Sequence, residues 1–167
     1  MTGSTATRLR PTDTDDLDLV IRLETAAENS RWIGSWTRAQ HLAAIEAPDR
    51  EHWVIEAAAA PVGYAITFDL RDAGRGVHIK RIVVDAKSRG IGRVAVAQLA
   101  RRAFDELGAE FIWLDVMADN HRAHASYRAA GFEARSFTDE EAAAWAASVE
   151  CEEVGSVLMF CPAPTER

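Results

Sequence analysis

The pattern of hydrophobic and polar residues changes period several times along the chain. Thr7–Arg10 alternates as a strand does, and apolar residues then fall on one helical face over Asp13–Ala27. Thr37 and Gln40 have the spacing of a capping box, which predicts a second helix. The segment between the two helices, Asn29–Trp36, is predicted to be a loop.

Three strands come next, and the period then returns to that of a helix. His52–Ala57, Val62–Leu70 and Val77–Asp85 are rich in β-branched and aromatic residues, and short turns separate them. This pattern predicts an antiparallel meander. Apolar residues at every third or fourth position predict a helix over Gly92–Leu107, with Gly108 at its end.

The last third of the chain alternates strands with helices. The predicted elements are a strand at Phe111–Met117, a helix at Asn120–Ala130, a strand at Phe132–Phe137, an acidic helix at Thr138–Ser148 and a strand at Val154–Phe160. This order joins a meander to a strand–helix–strand unit, so the fold class is α/β or α+β with a mixed sheet. With 167 residues and no internal repeat or linker, the sequence predicts one domain over residues 1–167.

Composition and charge narrow the function classes. The formal net charge of −7 disfavours nucleic acid as a partner and is compatible with a cationic acceptor. There is no long apolar run and no apolar secretion signal, so we expect no membrane partner and a cytoplasmic location. Cys151 and Cys161 are too few to frame a disulfide fold, and His121 and His124 lack partners at metal-ligand spacing, so no metal is expected.

The most specific chemistry lies in the segment Ile82–Gly92, which reads I-V-V-D-A-K-S-R-G-I-G. It leads from a predicted strand through a glycine-containing turn into a helix, whose first N–H groups can bind phosphate oxygens. Glycines allow close approach, and Arg89 and Arg93 add positive charge, so the segment predicts a pyrophosphate site. A plain tight turn remains an alternative. So does the dinucleotide pattern G-x-G-x-x-G, which tolerates the alanine found at Ala95.

Two sequence blocks resemble those of the GNAT acetyltransferase family. K-S-R-G-I-G is similar to the Q/R-x-x-G-x-G/A signature, although Lys87 replaces the usual Gln or Arg. Downstream, F-I-W-L-D-V-M-A-D-N-H-R-A-H-A-S-Y-R-A-A-G-F resembles the second block, and the likeness is close over Val77–Phe132. The resemblance implies a GNAT-like acyl-CoA N-acyltransferase fold, with a mostly antiparallel sheet flanked by helices. It also implies transfer from acetyl-CoA to a primary amine of a small molecule or protein N-terminus.

The resemblance further implies which residues bind acetyl-CoA. The backbone of the strand would pair with the pantetheine arm, the turn would hold the pyrophosphate, and an asparagine would hydrogen-bond the arm. The residues in these positions are Ile82, Val83 and Val84 on the strand, Ser88, Arg89, Gly90, Ile91, Gly92 and Arg93 in the turn, and Asn120.

The same resemblance implies two catalytic residues. Tyr127 would protonate the leaving thiolate, and Asp115 matches a carboxylate that some members use as the general base. We expect partial burial to raise the pKa of Asp115, because a base works best when its pKa lies near the working pH. Each residue also has a structural alternative, since Tyr127 could pack on its helix and Asn120 could serve only as an N-cap.

Other polar and aromatic residues near the motif receive structural expectations. His78 and Lys80 are expected on a solvated face, with the alternative that one of them faces the acceptor, and His121 and His124 are expected on a helix surface. Trp32 and Trp36 are expected either to line an acceptor cleft or to pack in the core. Two alternative functions stay open, a non-catalytic CoA-binding module of the same fold and a dinucleotide-dependent oxidoreductase. The Thr138–Ser148 helix could cover the acceptor or form a homodimer contact.

Overall fold

A mixed sheet lies at the centre of the protein, in a computed structural model that describes residues 6–71, 76–85, 89–135 and 156–165. Its strands are β1 (Thr7–Pro11), β2 (Glu51–Ala57), β3 (Ala60–Phe68), β4 (Val77–Val84), β5 (Phe111–Met117), β6 (Glu133–Ala134) and β7 (Ser156–Pro162). Across the sheet they run in the order β1-β2-β3-β4-β5-β7-β6. All neighbouring pairs are antiparallel except β4 with β5. The predicted meander and the mixed fold class are confirmed.

Helices cover both faces of this sheet. They are α1 (Leu17–Thr25), α2 (Ala27–Ser30), α3 (Arg38–Glu46), α4 (Ile91–Arg101) and α5 (His121–Ala129). On one face α1 packs with α3 over apolar side chains of β3 and β4. On the other face α4 and α5 pack over β5 and the start of β4. Each face therefore has its own apolar core. No described helix is long and apolar enough to cross a bilayer.

The helix predicted over Asp13–Ala27 is interrupted. Asp13 caps a 3-10 turn with a capping box, α1 follows, and Ala26 leaves the helical conformation with a ψ of 131°. The Asn29 side chain donates a hydrogen bond of 2.8 Å to the carbonyl of Leu23, which satisfies a carbonyl in the last turn of α1. The predicted capping box at Thr37 is confirmed.

A β-bulge in β4 opens the sheet. Ile66 pairs with Arg81 and Thr67 pairs with Ile79, so Lys80 is an extra residue in β4 at this point of the ladder. The parallel ladder of β4 with β5 consists of Val77–Ile112 and His78–Trp113 and ends just before the bulge. A bulge bends its strand. Beyond it β4 and β5 diverge, which leaves a wedge-shaped opening in the middle of the sheet.

A cluster of buried polar side chains connects the core of the α1 face to this opening. Glu24 accepts hydrogen bonds from the Tyr64 hydroxyl at 2.6 Å, the Trp36 backbone N–H at 2.9 Å and the Arg81 guanidinium at 3.1 Å. His41 Nε2 lies 3.4 Å from the same carboxylate. Because a buried carboxylate requires such partners, Glu24 holds α1, the Trp36 loop and β4 in a fixed relation.

The same cluster makes stability depend on pH through His52. Its ring contacts the Thr12 hydroxyl at 2.8 Å and His41 at 3.1 Å. Burial, reinforced by the charge of His41, lowers the pKa of His52 from 6.5 to about 4. His52 therefore binds a proton near pH 6.5 in the unfolded chain but only near pH 4 in the folded chain. Stability from this residue is present above pH 6.5 and is lost as the pH falls toward 4.

We expect His52 to lower the free energy of unfolding by about 2 kcal/mol between about pH 7 and about pH 5. Urea unfolding at the two pH values measures the difference. The His52→Gln variant keeps a hydrogen-bonding side chain that does not titrate, so its fall should be smaller. An equal fall in that variant would show that other groups cause the pH dependence.

Candidate active site

A cavity of about 470 Å³ occupies the wedge between β4 and β5. Residues 79–84 of β4 and residues 114–117 of β5 form its two sides. At one face of the sheet α5 and its N-cap close it, through Asn120, Ala123, Ser126 and Tyr127. At the other face α2 and the following loop close it, through Glu28, Asn29, Trp32 and Ile33. The cavity therefore has walls on both faces of the sheet, with β4 and β5 between them.

The end of β4 borders this cavity along its backbone. Ile82, Val83 and Val84 pair with β3 on one side and line the wedge on the other. Because the ladder with β5 ends at His78, the β5-facing edge of these residues presents strand hydrogen-bonding groups to a ligand. An extended chain with amide groups, such as a pantetheine arm, fits this edge as an added strand.

The glycine turn lies between this strand and α4. Gly90 is the N-cap of α4, with a left-handed φ of 74°, and the first helical bond runs from the Val94 N–H to the Gly90 carbonyl. A Cβ at Gly90 would meet no atom within 4 Å, so the space over the turn is open. Arg89 and Arg93 are exposed beside it, whereas Ile91 is buried. Open space, first-turn N–H groups that have no partner within the helix and two cations fit a phosphate group. Gly92 belongs to the same first turn, and Ser88 lies outside the described residues.

Asp115 lies on β5 at the α1 face of the wedge, with 14% of its side chain exposed. His78 donates a hydrogen bond of 3.0 Å from Nε2 to Asp115 Oδ1. Its ring stacks on Trp113, with ring centroids 3.7 Å apart and planes 5° apart. The expectation of a solvated His78 was wrong, since its side chain is only 1% exposed. Parallel pairing of His78 with Trp113 places the His78 ring beside Asp115, because Asp115 is the next residue of β5 on the same face of the sheet as Trp113.

The expected rise in the pKa of Asp115 was wrong as well. Burial alone would raise it, but the hydrogen bond and charge of His78, together with the charge of Lys80, lower the pKa of this carboxyl below its usual value. Burial lowers the pKa of His78. Asp115 is therefore an ionised carboxylate at neutral pH, held by a hydrogen bond that the sequence pattern did not indicate.

Tyr127 lies on α5, half-buried, at the opposite face of the wedge from Asp115. Its ring packs against Phe132, with centroids 6.1 Å apart. Burial, aided by the negative charge of Asp115, raises the pKa of Tyr127 to about 12. The phenol therefore keeps its proton at any physiological pH and can act as a proton donor. Tyr127 therefore packs against its own helix region and also lines the cavity.

The helix that carries Tyr127 begins at Asn120. The Asn120 side chain accepts a hydrogen bond of 3.2 Å from the Ala123 N–H, so it is an N-cap, and it also lines the cavity. His121 is exposed as expected. His124 was expected on the helix surface but is buried, with Nε2 at 3.1 Å from the Met117 carbonyl. It fixes the start of α5 against the end of β5.

Sequence reasoning missed several residues of the cavity wall. Arg81 lines it and is buried, with its guanidinium 4.7 Å over the ring of Trp36. Glu28 and Arg122 line it too. The one available signal was a pair of cations inside the apolar strand I-K-R-I-V. Of the two tryptophans expected either to line the cleft or to pack in the core, Trp32 lines the cavity. Trp36 packs in the buried polar cluster around Glu24.

Taken together, a cavity in the middle of the sheet, the open edge of a strand beside it and a glycine turn at a helix N-terminus fit an extended, phosphate-bearing ligand. The sequence matches the acetyltransferase (GNAT) family over residues 18–132, which is more than half of the chain. The chain belongs to this family, whose members use acetyl-CoA. No curated protein matches the sequence significantly.

Solved structures share the fold at low sequence identity. Spermidine N-acetyltransferase from Vibrio cholerae, in complex with CoA and spermine, has a TM-score of 0.74 and 17% identity, covering 93% of this chain and 95% of that one. The ribosomal-protein-S18-alanine N-acetyltransferase from Escherichia coli has a TM-score of 0.66 and 19% identity, covering 97% of both chains. A domain from Methanocaldococcus jannaschii has a TM-score of 0.72 and 14% identity, covering 95% and 99%. At these identities the likeness concerns the fold.

Proposed function

We propose that this single domain, residues 1–167, transfers the acetyl group of acetyl-CoA to a primary amine of a small molecule or protein N-terminus. The observation that carries the proposal is the wedge through the sheet, with a protonated Tyr127 on one face and an ionised Asp115 on the other. Two of the structural neighbours are named for primary-amine acceptors, spermidine and an alanine of a ribosomal protein. Both are compatible with attack by an amine from the Asp115 side.

The acetyl donor would enter from the α4–α5 face. The Gly90 turn would hold its pyrophosphate, and the backbone of Ile82–Val84 would hydrogen-bond the amides of its arm. Asn120 at the start of α5 would contact the same arm. This arrangement would bring the thioester into the middle of the wedge, between the two titratable side chains.

The acceptor would enter from the α1–α2 face as an ammonium ion attracted by Asp115. The attacking nitrogen must lose a proton, which the Asp115 carboxylate would receive and pass to water. A backbone N–H near Val83 or Val84 would stabilise the negative charge that develops on the carbonyl oxygen. The carbon–nitrogen bond forms, the carbon–sulfur bond breaks, and the Tyr127 hydroxyl donates its proton to the departing sulfur. The nitrogen then loses its second proton, which returns through water to the Tyr127 oxygen and restores the phenol. The products would be an N-acetylated amine, CoA thiol and one released proton.

Asp115→Asn should lower kcat/KM by about 10–100-fold, a smaller loss than for a base tuned to neutral pH. The low pKa of Asp115 keeps it ionised across the working range, so the rise of rate with pH should follow the pKa of the acceptor in both proteins. The amide retains an oxygen that accepts from His78, which limits structural damage. A pH–rate inflection near neutrality that disappears in this variant would contradict the low pKa.

The experiment that tests the function measures thiol release from acetyl-CoA with a panel of primary amines, beside CoA binding by calorimetry. Binding with turnover supports the acetyltransferase. CoA binding without turnover on any amine would favour the non-catalytic module, and NAD binding without CoA binding would favour an oxidoreductase.

Two further expectations stay predictions. A dodecameric spermidine N-acetyltransferase from Vibrio cholerae is among the structural neighbours, with a TM-score of 0.68. A homodimer of this chain is a hypothesis that light scattering tests. The Thr138–Ser148 segment proposed for that contact or for covering the acceptor lies outside the described residues. Cytoplasmic location is likewise a prediction.

A further inference from the structure

A small subsite adjoins the acceptor side of the wedge. Its volume is about 60 Å³, and its walls are Trp32, Ile33, Gly34, Lys80, Arg81, Asp115 and Met117. All of these residues except Gly34 also line the main cavity, so the subsite is continuous with it. The loop after α2 forms one wall, and the bulged part of β4 forms the other. Asp115 lines both spaces, so a molecule that presents its amine to Asp115 can place a neighbouring group in this subsite.

Arg81 has unused hydrogen-bonding capacity in this place. Its side chain is 5% exposed, and Nη1 donates to Glu24 at 3.1 Å and to the Gly34 carbonyl. Its Nε is buried and has no hydrogen-bond partner among the described residues. An unpaired buried donor costs free energy, which a ligand oxygen would recover by drawing the guanidinium toward the subsite. A guanidinium so placed favours a carboxylate, because it donates from a planar fork.

The subsite wall carries both positive and negative charges, on Lys80, Arg81 and Asp115. The two cations Lys80 and Arg81 follow each other in β4, and the charge of Lys80 reaches Asp115, whose pKa it helps to lower. An α-amino acid carries its amine and its carboxylate on the same carbon atom. Its ammonium would lie beside Asp115, and its carboxylate beside Lys80 and Arg81. The subsite, at about 60 Å³, has room for a group of a few heavy atoms such as a carboxylate.

We propose that the acceptor is an α-amino acid, with its amine at Asp115 and its carboxylate in the subsite beside Arg81 and Lys80. The proposal rests on the acetyltransferase function proposed above and specifies its substrate class. A polyamine fits less well, because a second ammonium in the subsite would lie beside Lys80 and Arg81 while Asp115 already holds the first. Glu28 lines the main cavity but not the subsite. The side chain of the amino acid would lie in the main cavity, where Glu28 is a charged neighbour.

The test compares matched acceptors at equal concentration, with thiol release from acetyl-CoA as the readout. Each set consists of a free amino acid, its decarboxylated amine, its carboxamide and a peptide with that residue at its N-terminus. Sets with small, acidic, basic and aromatic side chains cover the unknown part of the acceptor. We expect kcat/KM for the best amino acid to exceed that of its amine, amide and peptide by at least about tenfold.

Gly34→Val adds a side chain to the subsite wall without removing a charge. A Cβ at Gly34 would make an ordinary contact of 3.6 Å with Arg81 Nη2, so the variant should fold. It should raise KM for the amino acid at least about tenfold and leave the amine and the CoA affinity nearly unchanged. Ser35→Val, at the exposed neighbouring position, is the matched control and should keep the preference. Lys80→Gln should weaken the preference without filling the subsite.

The outcomes separate the two proposals. Turnover of decarboxylated amines or peptides equal to that of the amino acid overturns the carboxylate subsite and leaves the acetyltransferase intact. An undiminished preference in Gly34→Val overturns it as well. No thiol release with any acceptor overturns the acetyltransferase function, and the subsite assignment falls with it.

Discussion

Tyr127→Phe should lower kcat by about 10²–10⁴-fold while the Kd for CoA changes less than about threefold. The variant removes one hydroxyl from the wall of the wedge and keeps the ring that packs on Phe132. Because burial raises the pKa of Tyr127 to about 12, the phenol is protonated whenever a thiolate has to leave. Pre-steady-state thiol release and calorimetry with CoA measure the two quantities separately.

The chain offers a matched control in its other tyrosine, Tyr64, which is fully buried. Tyr64 donates its hydroxyl to Glu24 and lines neither cavity described above. Tyr64→Phe removes the same atom and should reduce stability far more than turnover. Normal turnover in Tyr127→Phe would remove the proton-donor role, and equal losses in both variants would show that the effect is structural.

Gly90→Glu should weaken CoA binding by at least about 100-fold. The new side chain would occupy the open space over the first turn of α4 and place a negative charge where the pyrophosphate is proposed to sit. The residue would also have to adopt a left-handed φ of 74°, which costs a non-glycine residue about 1 kcal/mol. Calorimetric titration with CoA measures the affinity.

Gly108→Glu separates the backbone cost from the ligand effect. Gly108 also has a positive φ, 67°, and a Cβ there would meet no atom within 4 Å. It follows the far end of the α4 segment, away from the glycine turn. This variant should lose similar stability and bind CoA normally. Normal affinity in Gly90→Glu would contradict the phosphate site, whatever the control does.

Local signals in the sequence were sufficient for much of the fold. Capping of α3 by Thr37 and of α5 by Asn120 depends on residues three positions apart, and both were anticipated. The helix over α4 and the strands of the meander follow from apolar periodicity. The break at Ala26 was missed because it depends on Asn29 reaching back to Leu23, a contact without a spacing rule.

Signals for the chemistry of the site were less complete. The glycine turn could be recognised from its residues, because a left-handed N-cap before a helix demands glycine locally. The environment of Asp115 could not be anticipated, since His78 lies 37 residues earlier. The parallel pairing of His78 with Trp113 brings the two side chains together. The expected raised pKa was wrong for this reason.

By itself the sequence determined the order of the strands from β1 to β5 and of α4 and α5, the glycine turn at the start of α4 and the residue types available for proton transfer. Only the tertiary structure decided that Tyr127 and Asp115 face one wedge from opposite sides of the sheet, that His78 and His124 are buried, and that Arg81 borders a subsite. The physical reason is range. Hydrogen bonding within a turn and helical periodicity act over a few residues, whereas burial and charge pairing depend on strands that are distant in sequence.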